Sequence, residues 1–88
     1  MYVILVYDIK TGKRSPKVLK FLRKQLTWVQ NSVFEGEVTA LQFRQITDTL
    51  SDLINKEKDS VIFYTFESLK YSKRGVIGIE KNSTDTFI

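Results

Sequence analysis

The sequence predicts an α+β domain in which two helices cover one face of a four-stranded antiparallel sheet. Three observations predict this fold. Two runs are apolar at nearly every position, as central strands are, and two other segments carry apolar residues at helical intervals. The third observation is length, since 88 residues make one domain, residues 1–88. A chain this short buries roughly 60 to 65% of its unfolded surface, so we expect a homodimer that covers apolar strand edges.

The first strand is predicted from Tyr2 to Tyr7, which is apolar throughout and rich in β-branched and aromatic residues. This composition indicates a strand covered on both faces. Asp8 follows directly as the first charged side chain. It either caps the turn after the strand or offers its carboxylate to a metal ion next to the cations that follow.

The first helix is predicted to begin at Pro16, with Ser15 as its N-cap, and to extend to Leu26. Its apolar residues share one side and its basic residues the other. No Asp or Glu lies between Ile9 and Phe34, which indicates a polyanionic partner such as RNA or DNA. The candidate nucleic-acid-binding residues are Lys13, Arg14, Lys17, Lys20, Arg23 and Lys24.

The second strand is predicted from Trp28 to Glu37, with a bulge or bend at Gly36. Thr39 and Gln42 have the capping-box spacing that begins a second helix. The chain order gives βαββαβ if the Trp28 to Val38 segment is split at Gly36, or if a short strand from Val76 to Ile79 completes the sheet. We prefer the second count, which is the ferredoxin-like arrangement.

The third and fourth strands are predicted from Val61 to Phe66 and from Val76 to Ile79. The former is apolar at nearly every position, so we expect it in the middle of the sheet next to the first strand. The chain ends in Phe87 and Ile88. We expect them in a short strand that docks on a sheet edge, either in the same chain or in the partner.

The composition excludes several kinds of catalytic site. The chain has no Cys and no His, which excludes thiol nucleophiles, zinc sites built on those ligands and imidazole catalysis. Hydrolysis would have to use carboxylates, hydroxyls, Lys, Arg and a hard cation. The first apolar run is short and has no basic leader, so we expect neither a signal peptide nor a membrane span, and a cytoplasmic protein.

Three motifs together resemble one known family. They are Tyr7-Asp8-Ile9 at the end of the first strand, Lys17 to Leu22 in the first helix, and Gln30 to Gly36 in the second strand. The chain resembles the CRISPR-associated protein 2 family, small nucleases of the adaptation module, over its whole length. Asp59 to Ile62 and Ile77-Gly78 fit the same pattern.

The resemblance implies a ferredoxin-like homodimer whose C-terminal segments reach across to the partner's sheet. It implies that two copies of Asp8 face each other across the two-fold axis and share a divalent ion, Mg²⁺ or Mn²⁺. Tyr7 and Ser32 match further positions of the catalytic centre. The residues implied in the central cleft or interface are Phe34, Phe87 and Ile88.

The chain departs from the family pattern at one position. Some members carry an arginine where this chain has Trp28. If that arginine takes part in catalysis, Arg14 is the candidate to replace it here.

Two functions follow from the resemblance. The first is a metal-dependent endonuclease of RNA or DNA that acts in spacer acquisition with the CRISPR-associated integrase. The alternative is a non-catalytic homodimeric adaptor that binds DNA and bridges integrase subunits. An RNA-recognition module on the same scaffold is disfavoured, because the strand from Val61 to Phe66 lacks the glycines of its signature.

Overall fold

Four strands and two helices make up the part of the chain that the structure, a computed structural model, describes: residues 1–10, 12–67 and 75–82. The elements in chain order are β1 (Tyr2–Asp8), α1 (Arg14–Gln25), β2 (Thr27–Gln30), β3 (Val33–Glu37), α2 (Ala40–Leu53) and β4 (Ser60–Phe66). The sheet order is β2-β3-β1-β4, and neighbouring strands are antiparallel. The predicted α+β fold is confirmed.

Strand β1 lies between β3 and β4 and supplies the centre of the core. Val3, Leu5 and Tyr7 are buried, whereas the residues between them are partly exposed. Successive side chains of a strand point to opposite faces, so within the described part of one chain β1 is fully buried on one face only, and the expectation of two covered faces is not met there. The buried residues of the helices that join this cluster are Val18, Leu22, Ile46 and Leu50.

The segment predicted as one strand from Trp28 to Glu37 is a hairpin of β2 and β3. The chain reverses at Asn31, whose positive φ of 45° is one that asparagine tolerates. The expected bulge at Gly36 is also misplaced. The irregularity lies in β2, between Trp28 and Gln30, whereas Gly36 pairs in regular register with Val3.

Gly36 instead allows the chain to pack closely. A Cβ atom at this position would lie 3.0 Å from Cδ2 of Leu26, the buried residue that follows α1. The absence of a side chain therefore lets β3 and the end of α1 approach each other.

The two later strand predictions need correction. The segment from Val76 to Ile79 is irregular, so β4 and the split hairpin complete the sheet. The segment from Val61 to Phe66 does pair with β1, but among the described residues it forms an edge of the sheet rather than its middle. Its composition suits a central strand and an interface strand equally well, since both bury β-branched and aromatic side chains.

The sheet has an open face, opposite the helices, that is largely apolar. Ile4 is the pairing partner of Tyr64, and Val6 is the partner of Ile62. Paired residues point to the same side of a sheet, so these four side chains and Phe66, the partner of Tyr2, form one patch. The residues of β4 in this patch are 51% exposed at Ile62, 58% at Tyr64 and 37% at Phe66.

The helices begin in different ways. α1 begins at Arg14 rather than Pro16, and its N-cap is Lys13, without a side-chain cap, instead of Ser15. Pro16 still falls in the first turn, where a missing N–H leaves no bond unmade. α2 has the predicted capping box: Gln42 N donates to the Thr39 hydroxyl, and Thr39 N donates to the Gln42 side chain. Neither helix has the length and apolarity needed to cross a bilayer.

Candidate functional site

Asp8 is the last residue of β1 and points to the open face of the sheet. Its neighbour Tyr7 is buried towards the helices, so the alternation along β1 directs Asp8 the other way. The Asp8 side chain is 68% exposed, and its Oδ2 lies 3.2 Å from Nζ of Lys10. An exposed ion pair of this kind is weak. The Asp8 carboxylate is therefore accessible to a cation from solvent.

The turn between β2 and β3 lies next to the end of β1. Tyr7 N donates to the carbonyl oxygen of Ser32 at 3.2 Å. Of the three predicted catalytic residues, Tyr7 and Asp8 are adjacent in β1, and this bond places the backbone of Ser32 next to them, but the Tyr7 ring lies on the side of the sheet opposite to Asp8. Ser32 is half-buried. The catalytic roles of all three stay predictions.

The ring of Tyr7 belongs to the core. It stacks on Phe34 with ring centroids 6.3 Å apart and an interplanar angle of 26°. Burial raises the pKa of Tyr7, and the nearby charge of Arg23 partly offsets this effect. The hydroxyl is therefore protonated at neutral pH and can donate a hydrogen bond but cannot act as a base.

Of the three predicted interface residues, only Phe34 lies in the described part of the chain. The side chain of Phe34 is 0% exposed and packs among the core residues of its own chain. It cannot contact a partner chain, so its assignment to the interface needs correction. Phe87 and Ile88 lie outside the described residues.

Arg14 is paired with a carboxylate that the sequence analysis did not single out. Its Nε and Nη2 donate to the two oxygens of Asp59, at 2.6 and 3.0 Å. The Asp59 side chain is 0% exposed and that of Arg14 24%. This pairing removes Arg14 from the group of freely available cations. It also leaves Arg14 unsuited to replace the arginine that some relatives carry at the position of Trp28.

The pKa of Asp59 is strongly perturbed. The hydrogen bond from Arg14 is the largest influence and lowers the pKa, the N–H groups of Lys10 and Asn55 lower it further, and burial opposes them. The same hydrogen bond raises the pKa of Arg14. Asp59 is thus ionised throughout the neutral range. Asp59 belongs to a stretch that fits the family pattern, but its partner Arg14 is 45 residues away, and no local spacing reveals the pairing.

Four lysines of the acid-free segment form a stripe along α1. Lys13, Lys17, Lys20 and Lys24 are exposed and recur at intervals of four, three and four residues, which places them on one side of the helix. At 1.5 Å per residue this lysine stripe is about 16 Å long. Arg23 is also exposed but lies roughly a quarter turn away from the stripe. The six predicted cations therefore separate into a stripe, a flanking arginine and the paired Arg14.

Trp28 has a structural role in the hairpin. Its indole N–H donates to the carbonyl oxygen of Asn31 at 3.0 Å, and its own carbonyl oxygen accepts from the Asn82 side chain at 2.7 Å. The ring is half-buried against the core. These contacts hold the turn that brings Ser32 to the end of β1.

A metal ion at this end of the sheet would have Asp8 as its carboxylate ligand. In the described ranges, no three Asp or Glu residues converge into a metal-binding cluster. Mg²⁺ does not need one, since it keeps several waters and is commonly bound by one or two carboxylates plus substrate phosphates. The exposed hard oxygen donors of Asp8 fit this coordination pattern.

The chain is similar to known proteins over its full length. The family model for CRISPR associated protein Cas2 matches residues 1–74. A CRISPR-associated endoribonuclease Cas2 from Dictyoglomus turgidum is 48% identical over 88 residues, 100% of both chains. One of the same name from Methanocaldococcus jannaschii is 50% identical over 88 residues, 100% of this chain and 76% of its own.

Solved structures of Cas2 proteins share the fold. One crystal structure of Cas2 superposes with a TM-score of 0.81 at 39% identity, covering 93% of this chain and 91% of that one. Cas2 from Streptococcus pyogenes gives a TM-score of 0.72 at 32% identity, covering 86% and 99%. From its sequence and its fold together, this chain belongs to the Cas2 family of CRISPR-associated proteins.

Proposed function

We propose that this chain is a Mg²⁺- or Mn²⁺-dependent endonuclease of the CRISPR system that hydrolyses phosphodiester bonds through Asp8. The observation that carries the proposal is the exposed Asp8 carboxylate at the end of the central strand, next to the turn that carries Ser32. The relatives described above are named endoribonucleases. Their names support RNA as the first substrate to test and DNA as the second.

We propose that the active form is a homodimer that pairs through the open face. Ile62, Tyr64 and Phe66 leave a contiguous apolar patch exposed on one chain. Asp8 lies at one end of the same face, opposite Ser60 in the strand pairing. A two-fold axis near that end would bring two Asp8 side chains together, which would give a shared ion two carboxylates instead of one.

The proposed chemistry assigns separate tasks to the side chains around Asp8. The bound ion would neutralise negative charge on the scissile phosphate and lower the pKa of an attacking water. Asp8 would hold that ion through its carboxylate oxygens. Lys10 would release its weak pairing with Asp8 and offer its ammonium to a phosphate oxygen instead. Ser32 would contribute a hydrogen-bond donor rather than a base, and Tyr7, whose ring is buried on the side of the helices, would hold the end of β1 in place.

The test of this proposal is cleavage by the Asp8→Asn variant. It is compared with wild type and with Asp48→Asn, which makes the same change at an exposed position on α2. With single-stranded RNA, duplex DNA and Mg²⁺, we expect no cleavage by Asp8→Asn and wild-type cleavage by Asp48→Asn. Equal cutting by all three preparations would refute the proposal, because a contaminating nuclease would act in each.

The lysine stripe favours a second candidate function, the DNA-binding adaptor that bridges integrase subunits during spacer acquisition. The stripe lies on α1, so it could hold a duplex whether or not Asp8 performs chemistry. Spacer integration reconstituted with Asp8→Asn separates the two functions. Normal integration without cleavage would favour the adaptor, whereas loss of both activities would refute it.

A further inference from the structure

We infer that Asp59, together with Arg14, is a positioning residue for the Asp8 site. The inference rests on the proposed nuclease function and assigns a role in it to Asp59. The pair lies next to the loop that follows β1, and its role is to fix the position of the backbone at Asp8.

The Asp59 carboxylate joins three segments of the chain. Its Oδ1 accepts from Lys10 N at 2.9 Å and from Arg14 Nη2 at 3.0 Å. Its Oδ2 accepts from Arg14 Nε at 2.6 Å and from Asn55 N at 2.8 Å. Asp59 is the one buried charged residue in the described part of the chain. Four bonds to a buried carboxylate leave it little freedom to move.

One of these bonds and one strand pairing connect Asp59 to Asp8. Lys10, whose N–H is bound, follows Asp8 by two residues. Ser60, the next residue after Asp59, is the strand partner of Asp8. Asp8 is therefore held from both sides, through its own chain and through the neighbouring strand.

The side chain of Asp8 has little support of its own. It is 68% exposed, and the side chain of Lys10, with which it forms an ion pair, is 61% exposed. Its position therefore depends on the backbone beneath it. The loop between Lys10 and Arg14 contains Gly12, around which there is open space, so packing does not restrain the loop at that point. Asp59 instead bonds to Lys10 and to Arg14, the residues on either side of this loop.

The position of a metal-binding carboxylate matters more for catalysis than for substrate binding. Loss of a group that orients a ligand typically lowers metal affinity or activity about 10- to 100-fold. Loss of Asp59 should therefore reduce kcat and weaken metal binding by that factor. The lysine stripe, which we expect to bind the rest of the substrate, is untouched, so KM should change less than about twofold.

The decisive variant is Asp59→Asn, which keeps the shape of the side chain and can still accept from Lys10 N, but loses the charge that pairs with Arg14. The experiment measures kcat and KM for RNA cleavage. It also follows Mg²⁺ binding without substrate, from the NMR shift of the Asp8 carboxyl carbon. We expect kcat to fall about 10- to 100-fold and the Mg²⁺ dissociation constant to rise by a similar factor. Asp48→Asn, at an exposed site, is the matched control.

Variants of Arg14 test whether the two residues act as a pair. Arg14→Gln should reproduce the defect, and the double variant with Asp59→Asn should be no worse than either alone. Arg14→Lys keeps the charge but cannot donate two parallel hydrogen bonds to the carboxylate, so its kcat and its Mg²⁺ affinity should lie between those of wild type and Arg14→Gln. These two Arg14 variants also carry the test if Asp59→Asn does not fold at the assay temperature.

The outcomes separate this inference from the nuclease proposal. Cleavage by Asp8→Asn at the wild-type rate would refute the proposed function and, with it, the inference. Wild-type kcat and Mg²⁺ affinity in folded Asp59→Asn, next to an inactive Asp8→Asn, would overturn the inference alone. So would a loss of activity that only follows the fraction of unfolded protein, since that is the result of a purely structural role.

Discussion

The lysine stripe predicts a specific change in the salt dependence of nucleic-acid binding. The perturbation is the double substitution Lys17→Gln and Lys20→Gln, at two exposed positions in the middle of the stripe. Each lysine that neutralises a phosphate of duplex DNA contributes about −0.9 to the slope of log K against log salt concentration, and about −0.7 for a single strand. For each protomer whose stripe contacts the nucleic acid, the double variant should therefore have a slope shallower by about 1.8 on duplex and about 1.4 on a single strand.

This slope translates into a measurable affinity. Between about 50 and 200 mM salt, a slope difference of 1.8 corresponds to roughly a tenfold smaller loss of affinity for the variant than for wild type. Fluorescence anisotropy with a labelled duplex at four or five salt concentrations measures it. The matched control is Lys56→Gln with Lys58→Gln, two exposed lysines in the turn before β4. The control should keep the wild-type slope.

Two results would refute this reasoning. A double variant with the slope of the control would show that the stripe does not contact phosphates. The second is an Arg14→Gln variant whose slope is shallower than that of wild type by as much as the slope of Lys17→Gln. This would show that Arg14 contacts the nucleic acid in spite of its pairing with Asp59.

Three further predictions concern stability and assembly. Leu22→Ala should lower the free energy of unfolding by about 2 to 5 kcal/mol in urea denaturation, because Leu22 is 0% exposed, whereas Leu41→Ala, at a 65% exposed site, should change it by less than about 0.5 kcal/mol. Wild type should lose stability as the pH falls below about 4. The pKa of Asp59 is lower in the folded protein than in the unfolded chain, so in this range the proton binds the unfolded chain and favours unfolding. Asp59→Asn should lack that part of the pH dependence in urea denaturation at several pH values. Ile62→Glu should convert the proposed dimer to monomer in sedimentation experiments, because it places a charge in the open face.

Each of these predictions has a clear contrary result. Equal effects of the two leucine substitutions would contradict the assigned core. Identical acid profiles of wild type and Asp59→Asn would contradict the role of this carboxylate in acid stability. An Ile62→Glu protein that sediments as wild type does, with Tyr64→Glu behaving likewise, would exclude the open face as the dimer interface.

The candidate site was only partly predictable from sequence. Asp8 could be found, because an abrupt change from an apolar run to a carboxylate is visible locally and coincides with a family motif. The neighbourhood of Ser32 depends on where the hairpin turns, and the turn is at Asn31 rather than at Gly36. A residue with positive φ is more often glycine, so the sequence favoured the wrong position.

The sequence by itself determined the α+β class, the β1 core strand, the capping box of α2 and the charge of α1, because each follows from local periodicity or from composition. Only the tertiary structure decided which of the basic side chains forms a buried ion pair and which remain exposed. Arg14 stands among lysines in the sequence, but folding brings it to Asp59, 45 residues later. Burial makes that pairing strong, whereas the lysines of the stripe remain in water. A positive charge thus forms a buried ion pair in one place and a candidate phosphate contact in another, since only the fold sets its surroundings.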